Sequence, residues 1–429
     1  MAAEIDIAVV GAGAAGLSAG IFAKQTNPDA SVVLFDGARK VGAKILVAGG
    51  GRCNVTHHAV DVRDYNAASR NFVKNVLASF TVEDTKRWLG AMGVELKREA
   101  TGKLFPTTDK ARTVLDALLG RLDELDVPLR TRARVTGIAS DDAGFTLFIN
   151  ETEKLTARRL VLCTGGRSMP RSGSDGGGYA LARALGHTVT DTHPALVSIV
   201  LQQHFFHAQL AGVSHDAEIV TTLDRKPIDR RTGSLLWTHF GLSGPVVMDA
   251  SRHFLAAKHA GGAPTWSLNL LPGERFETVE PKLLELGNRT PTLTLRRALD
   301  RLAPMPEKVV DALLVGIDVA PDTPLAQLRK DQRRGVIHAL TALPLPVEQD
   351  RGWNHAEVTA GGVPLNEVTW KTMTSREREG LHLAGEILDL DGRIGGFNFQ
   401  WAWATGHLAG KAAAQAIATA EAVAEVATG

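Results

Sequence analysis

Cysteine is nearly absent from this chain: Cys53 and Cys163 are the only two in 429 residues. Domains that rely on disulfides carry many more, so a reduced, cytoplasmic setting is expected. Two cysteines without a C-x-x-C pair also speak against a structural metal, and no metal site is expected. Long hydrophobic runs are missing. Nothing approaches the ~20 apolar residues that span a bilayer, so no membrane partner is expected. The opening stretch MAAEIDIAVVGAG has no basic leader and runs straight into an apolar segment, which argues against a cleaved signal. Charge of one sign is lacking too. With 48 Lys and Arg against 47 Asp and Glu, the net charge is +1. No global field or basic stripe points to nucleic acid, and no nucleic-acid partner is expected. There is no H-E-x-x-H and no Ser-His-Asp pattern, so hydrolysis has no support. No feature points to a particular oligomeric state.

What is present is glycine, placed with purpose. IDIAVV (Ile5 to Val10) reads as a buried parallel strand. GAGAAG follows at once and opens a helix, and SVVLFD (Ser31 to Asp36) is a second strand. Gly11, Gly13 and Gly16 make G-x-G-x-x-G, with Ala14 and Ala15 between. The first glycine serves the tight turn, the second lets backbone approach a pyrophosphate, and the third lets helix pack on strand. Asp36 closes the second strand, where an acid hydrogen-bonds ribose hydroxyls. A nucleotide with adenosine and pyrophosphate is the expected ligand.

A nicotinamide nucleotide needs little beyond that unit, whereas FAD needs further glycine-rich segments for its ribityl chain and ring. Three occur: Thr164-Gly165-Gly166 after a strand, GEILDLDG from Gly385 to Gly392, and GGFNFQWAWATG from Gly395 to Gly406. Their spread along the chain fits FAD across an interrupted α/β domain. Residues 71–92 and 111–125 read as helices, and VPLRTRARVTGIAS with GFTLFIN as paired strands turning at Asp141-Asp142. From about Pro194 short alternating segments suggest antiparallel strands. From about Arg275 four amphipathic helices follow. A long Ala-rich helix begins near Gln400. The expected division is a nucleotide-binding part over 1–193, a β-rich insert over 194–273, a helical insert over 274–343, a return strand over 344–354, and the rest of the nucleotide-binding domain over 355–429.

The stretch GGGRCNVTHH (Gly49 to His58) is ambiguous by itself. Cys and His could hold a metal, Cys beside Arg could be a reactive thiol, and the glycines could fold against a phosphate or a planar ring.

GAGAAGL, GAKILVAGGGRCN, CTGGRSMPRSGSDGGGYALARALGH, THFGLSGP, VTAGGV and GEILDLDGRIGGFNFQWAWATG stand in order along the chain. Together they resemble the YhiN-type flavoproteins, which include BaiN-like NAD(P)/FAD-dependent oxidoreductases and aminoacetone oxidase-like proteins. The resemblance implies a two-dinucleotide-binding-domain-type, Rossmann-like FAD domain with an inserted β-barrel and a small helical domain. It implies that Gly49, Gly50, Gly51, Arg52, Cys53 and Asn54 lie along the flavin, with Lys44 in the same loop. There the glycines spare the ring a Cβ, Arg52 and Asn54 donate, and Cys53 packs. It also implies that Gly11, Gly13, Gly16 and Asp36 hold the ADP half and that Val135 offers backbone to adenine. Thr164, Gly165 and Gly166 would flank the cofactor, with Gly385, Glu386 and Asp391 at the ribityl region. Gly395, Gly396 and Asn398 would lie at the pyrimidine end, where a helix N-terminus faces the N1–C2=O edge.

The chemistry expected is FAD-dependent oxidoreduction of a small organic molecule with non-covalent flavin. The chain lacks a CxxxxC redox pair and a second spaced G-x-G-x-x-G, so NAD(P)H would act by transient docking, or oxygen would be the partner. His239 in THFGLSGP and Arg393 in DGRIGG are the catalytic candidates, one to move a proton and one to hold a carboxylate. Arg167 and Ser168 follow the TGG turn and could also meet substrate. Two alternatives stand beside this reading: an aminoacetone-type amine oxidase that makes peroxide, and a flavin-dependent tRNA-modifying or other nucleic-acid-linked protein.

Overall fold

The computed structural model describes residues 4–303 and 305–428. The chain forms two compact units. One ends at Thr192 and resumes at Val358; the other is His193–Glu357.

The first unit is built on a nine-stranded sheet. At its centre Leu381–Leu383, Glu153–Leu162, Glu4–Val10, Val32–Phe35 and Leu129–Arg130 lie side by side and parallel. These strands are apolar without alternation because both faces are covered; Ile7, Ala8 and Val9 are fully buried. Val10 is in register with Phe35 on one side and Leu162 on the other. Three strand ends therefore stop level, and the loops that follow them share one edge, where open α/β sheets take ligands. Val135–Asp141 and Gly144–Ile149 form the expected hairpin and add to the lower half of Glu153–Leu162.

Two helices clamp the sheet: Ala14–Thr26 and the C-terminal Phe397–Thr428. They approach backbone to backbone. A Cβ on Gly406 would stand 2.5 Å from the Ala15 carbonyl oxygen, and one on Gly410 would stand 2.1 Å from that of Ala19. Ser18 Oγ donates to the Trp403 carbonyl across the same seam, at 3.2 Å. The C-terminal helix begins at Phe397, before the expected start at Gln400. The helix expected over 71–92 is two, Arg70–Ser79 and Val82–Ala91. Thr81 breaks it by capping the second: its hydroxyl accepts from Asp84 N at 3.2 Å, while the Asp84 carboxylate accepts from Thr81 N at 2.8 Å.

The second unit carries a seven-stranded antiparallel sheet. Leu343–Leu345 pairs at one edge and Val347–Asp350 at the other. Only Pro346 separates them, so the two edges meet and the sheet curls into a barrel. A helix the sequence reading did not anticipate, Pro245–His259, packs against this sheet. The four expected amphipathic helices are Phe276–Arg289, Leu295–Leu302, Glu307–Gly316 and Lys330–Thr341. Their apolar faces join the sheet in one core, with Trp237, Trp266 and Leu268 buried beside Val279, Leu299 and Ile337. Among the described residues no helix is long and apolar enough to cross a membrane.

Candidate active site

The site is assembled at the level edge of the parallel sheet in the first unit. The G-x-G-x-x-G turn shows a division of labour. A Cβ on Gly11 would lie 2.5 Å from the Cys163 carbonyl oxygen, and one on Gly16 would lie 1.8 Å from that of Gly11. These two glycines are required by the fold itself. A Cβ on Gly13 would meet nothing within 4 Å. Gly13 is the N-cap of Ala14–Thr26, and no side chain caps that helix. Its first N–H groups therefore face open space, an arrangement suited to an anion. Asp36 is fixed beside the turn: Oδ2 accepts from Ala12 N and Oδ1 from Ala38 N, each at 2.8 Å. Its remaining lone pairs are free for hydroxyl donors.

The expected loop at Gly42 to Asn54 is instead a short helix, Ala43–Gly51, broken at Ala48, Gly49 and Gly50. A Cβ on Gly49 would strike Phe105 at 2.7 Å, but Gly50 has nothing within 4 Å and Gly51 nothing closer than 3.8 Å. The pair presents bare backbone outward. The guanidinium of Arg52 lies 4.0 Å over the Phe105 ring, and its Nη1 bonds Glu99 at 2.5 Å. Cys53 is fully buried, and desolvation pushes its thiol up to about 12. That is packing chemistry, without a thiolate. Asn54 is buried, and its Oδ1 has no protein partner.

A tight polar cluster closes the site. Lys44 Nζ stands 2.6 Å from Glu386 Oε2 and donates to Ser168 Oγ at 2.7 Å. Glu386 Oε1 accepts from Ser168 Oγ and from Thr359 N, both at 2.9 Å. Thr359 Oγ1 in turn accepts from Arg167 N at 2.7 Å and Ser168 N at 3.0 Å. Ser168 and Thr359 thus hold Glu386 in place. The sequence reading gave Thr359 no role, although it quoted the VTAGGV segment that contains it. Gly166 makes room: a Cβ there would meet Thr359 Oγ1 at 2.4 Å. Gly165 packs on Ser174, and Thr164 packs on Gly178. Thr164 Oγ1 and Ser174 Oγ are buried polar atoms with no protein partner. Val135 lies buried at the start of its strand.

On the far side, Gly385 N donates to Thr405 Oγ1 at 3.0 Å, and its carbonyl accepts from Trp401 Nε1 at 3.3 Å. Asp391 is buried and starts a two-residue strand against Asn66. Gly395 and Gly396 both take positive φ, and a Cβ on Gly396 would overlap the Thr56 backbone at 2.6 Å. Asn398 clips the Gly392 backbone, accepting from its N at 2.8 Å and donating to its O at 3.0 Å. Arg393 N donates to the Asp64 carbonyl at 2.9 Å, and its guanidinium lies 3.5 Å from the Asp64 carboxylate. His239 belongs to the second unit. It is exposed in the turn between Lys226–Thr238 and Gly241–Ser243, edge-on to Phe240 at 5.2 Å.

The open backbone at Gly13, Gly50 and Gly51, the helix N-terminus after Gly13 and the unpartnered Asn54, Thr164 and Ser174 oxygens are the groups that could cradle a ligand. A dinucleotide with a flat polar ring fits those donors, acceptors and bare backbone.

Comparison with known proteins agrees with this geometry. A family model described as HI0933-like protein Rossmann domain matches residues 5–412. The chain belongs to this family. It is 35% identical over 409 residues to a 3-dehydro-bile acid delta(4,6)-reductase of Clostridium scindens, covering 95% of this chain and 99% of that protein. It is 34% identical to a ribosomal RNA dihydrouridine synthase of Escherichia coli, covering 94% of this chain and 96% of that one. Among solved structures, a quinol-fumarate reductase matches with a TM-score of 0.52 at 16% identity, covering 98% of this chain and 72% of its own. That likeness concerns the fold. As an HI0933-like protein, the chain is a flavoprotein oxidoreductase with a Rossmann-type domain.

Proposed function

We propose that this protein is an FAD-dependent reductase that saturates a carbon–carbon double bond conjugated to a carbonyl in a small organic substrate, with NAD(P)H as electron source. One observation carries the reading: a relative 35% identical along 99% of its own length is named as a reductase of an unsaturated bile acid. Bound FAD would supply the hydride. The ADP half would lie on Gly11 to Gly16 and Asp36, the ribityl chain by Glu386 and Asp391, and the ring by Gly50, Gly51, Asn54 and Asn398. Arg393 would hold an acid group of the substrate.

The test uses the purified yellow protein without oxygen. NADH or NADPH should bleach the flavin, and a 3-oxo-4,6-dienoyl bile acid should restore its colour. Arg393→Ala should slow that recovery while flavin stays bound. No bleaching by either nucleotide, together with peroxide release from aminoacetone in air, would overturn the proposal in favour of an amine oxidase.

A second reading has a specific support. The Escherichia coli relative is named for making dihydrouridine in ribosomal RNA, which is also saturation of a double bond beside a carbonyl. Flavin colour restored by ribosomal RNA and not by the dienone would select it. The balanced charge of the chain favours the small molecule.

A further inference from the structure

A cleft of about 290 Å³ opens in the first unit along the C-terminal helix. Lys371 and Thr372 line it from the turn between Val368–Thr369 and Thr374–Ser375, and Ser79 from the end of its helix. His407, Lys411 and Gln415 line it from successive turns of the C-terminal helix. No lining residue is acidic. Among the described residues neither Lys371 nor Lys411 is in an ion pair, and Lys371 Nζ lies 5.6 Å over the Trp370 ring. Two ammonium groups on one concave surface contribute positive potential to it, opposed in part by the Asp84 charge felt at His407.

The other groups are arranged for the same sign. Thr372 Oγ1 accepts from Thr374 Oγ1 at 2.7 Å, which leaves its own proton free to donate. The ring of His407 is clamped, stacked on Phe80 at 4.9 Å and meeting the Phe22 ring edge-to-face at 4.4 Å. Its Nδ1 is buried and has no partner. Burial and the Lys411 charge push this imidazole down to about 4, with Asp84 pulling the other way, so at neutral pH it is uncharged. Two lysines, a hydroxyl and an amide offer more donors than the two oxygens of a carboxylate can accept. A phosphate monoester brings three terminal oxygens and nearly two charges. The cleft shares no residue with the flavin cradle, and His407 is ten residues beyond Phe397, about 15 Å along the helix.

We propose that this cleft is a second ligand site that takes a small phosphate-bearing anion. The inference does not depend on the reaction at the flavin.

The experiment titrates the flavin-loaded protein, at fixed ionic strength, with inorganic phosphate and with phenyl phosphate. Wild type should bind both saturably and melt at a higher temperature. The exposed pair Lys371→Met/Lys411→Met should bind at least about tenfold more weakly, with flavin content and bleaching unchanged. The His407 ring resonances should move with phosphate in wild type and stay still in the double variant. Equal affinity in the two proteins, no saturable binding, or acetate binding as tightly as phosphate would each overturn the proposal.

Discussion

Lys44 and Glu386 lie 342 positions apart in sequence and 2.6 Å apart in space. The pair ties the short helix Ala43–Gly51 to the segment after the strand Leu381–Leu383. Both side chains are largely covered, with exposures of 26% and 18%.

The strength of this ion pair can be measured. A double-mutant cycle with Lys44→Met and Glu386→Gln, followed by urea unfolding, should give a coupling of about 1–2 kcal/mol. Each single variant should also retain less flavin after gel filtration. A coupling near zero would show that the Ser168 and Thr359 bonds alone position Glu386.

The two classes of glycine in the first turn should separate cleanly. A Cβ at Gly13 has nothing within 4 Å, so the Gly13→Val variant should fold and melt close to wild type yet emerge colourless. Gly16→Val drives a side chain into the Gly11 carbonyl and should fail to fold. A yellow Gly13→Val protein would remove the pyrophosphate from this turn.

Both cysteines should be inert in the folded state. With Cys53 at about 12, its thiolate fraction at pH 8 is about one in ten thousand; Cys163 is buried and shifted in the same direction. Ellman's reagent should find no thiol in native protein and two after unfolding in guanidinium. Rapid native labelling of one thiol would return Cys53 to the list of redox candidates.

His382 sets an acid limit. It is 3% exposed, its Nδ1 lies 2.9 Å from the Thr372 carbonyl oxygen, and burial lowers its pKa from 6.5 to about 4, helped by Arg159. Between those values the unfolded chain binds a proton that the fold refuses. Stability is therefore full above pH 6.5, falls as pH drops through 6.5 toward 4, and loses nothing further to this group below 4. The total is about 3 kcal/mol. Urea midpoints measured from pH 7.5 to 4 should fall steeply, and His382→Gln should flatten that slope.

Much of this protein was legible in its sequence for a definite reason. A buried parallel strand must be apolar on both faces, and a backbone that meets phosphate must lack a Cβ; both leave marks on contiguous residues. The turn at Gly11 to Gly16, the acid at Asp36 and the glycine segments after Cys163, Ala384 and Ile394 could be found that way. So could the four helices of the second unit, whose apolar spacing repeats locally.

The rest depended on neighbours that sequence order does not reveal. Arg52 reads as a free donor until Phe105, Glu99 and Asp109 are seen to take it up. Thr359 is an ordinary residue until its hydroxyl meets Arg167 N and Ser168 N, 192 and 191 positions away. The helix Pro245–His259 was missed because burial on several sides leaves its apolar residues without one clear stripe. Gly406 and Gly410 acquire their meaning only against Ala15 and Ala19 on the facing helix. Local pattern determined which segments become strands, turns and helices and what kind of cofactor they suit. Tertiary packing decided which of the polar side chains are left facing that cofactor, because hydrogen bonds between distant segments use up the others first.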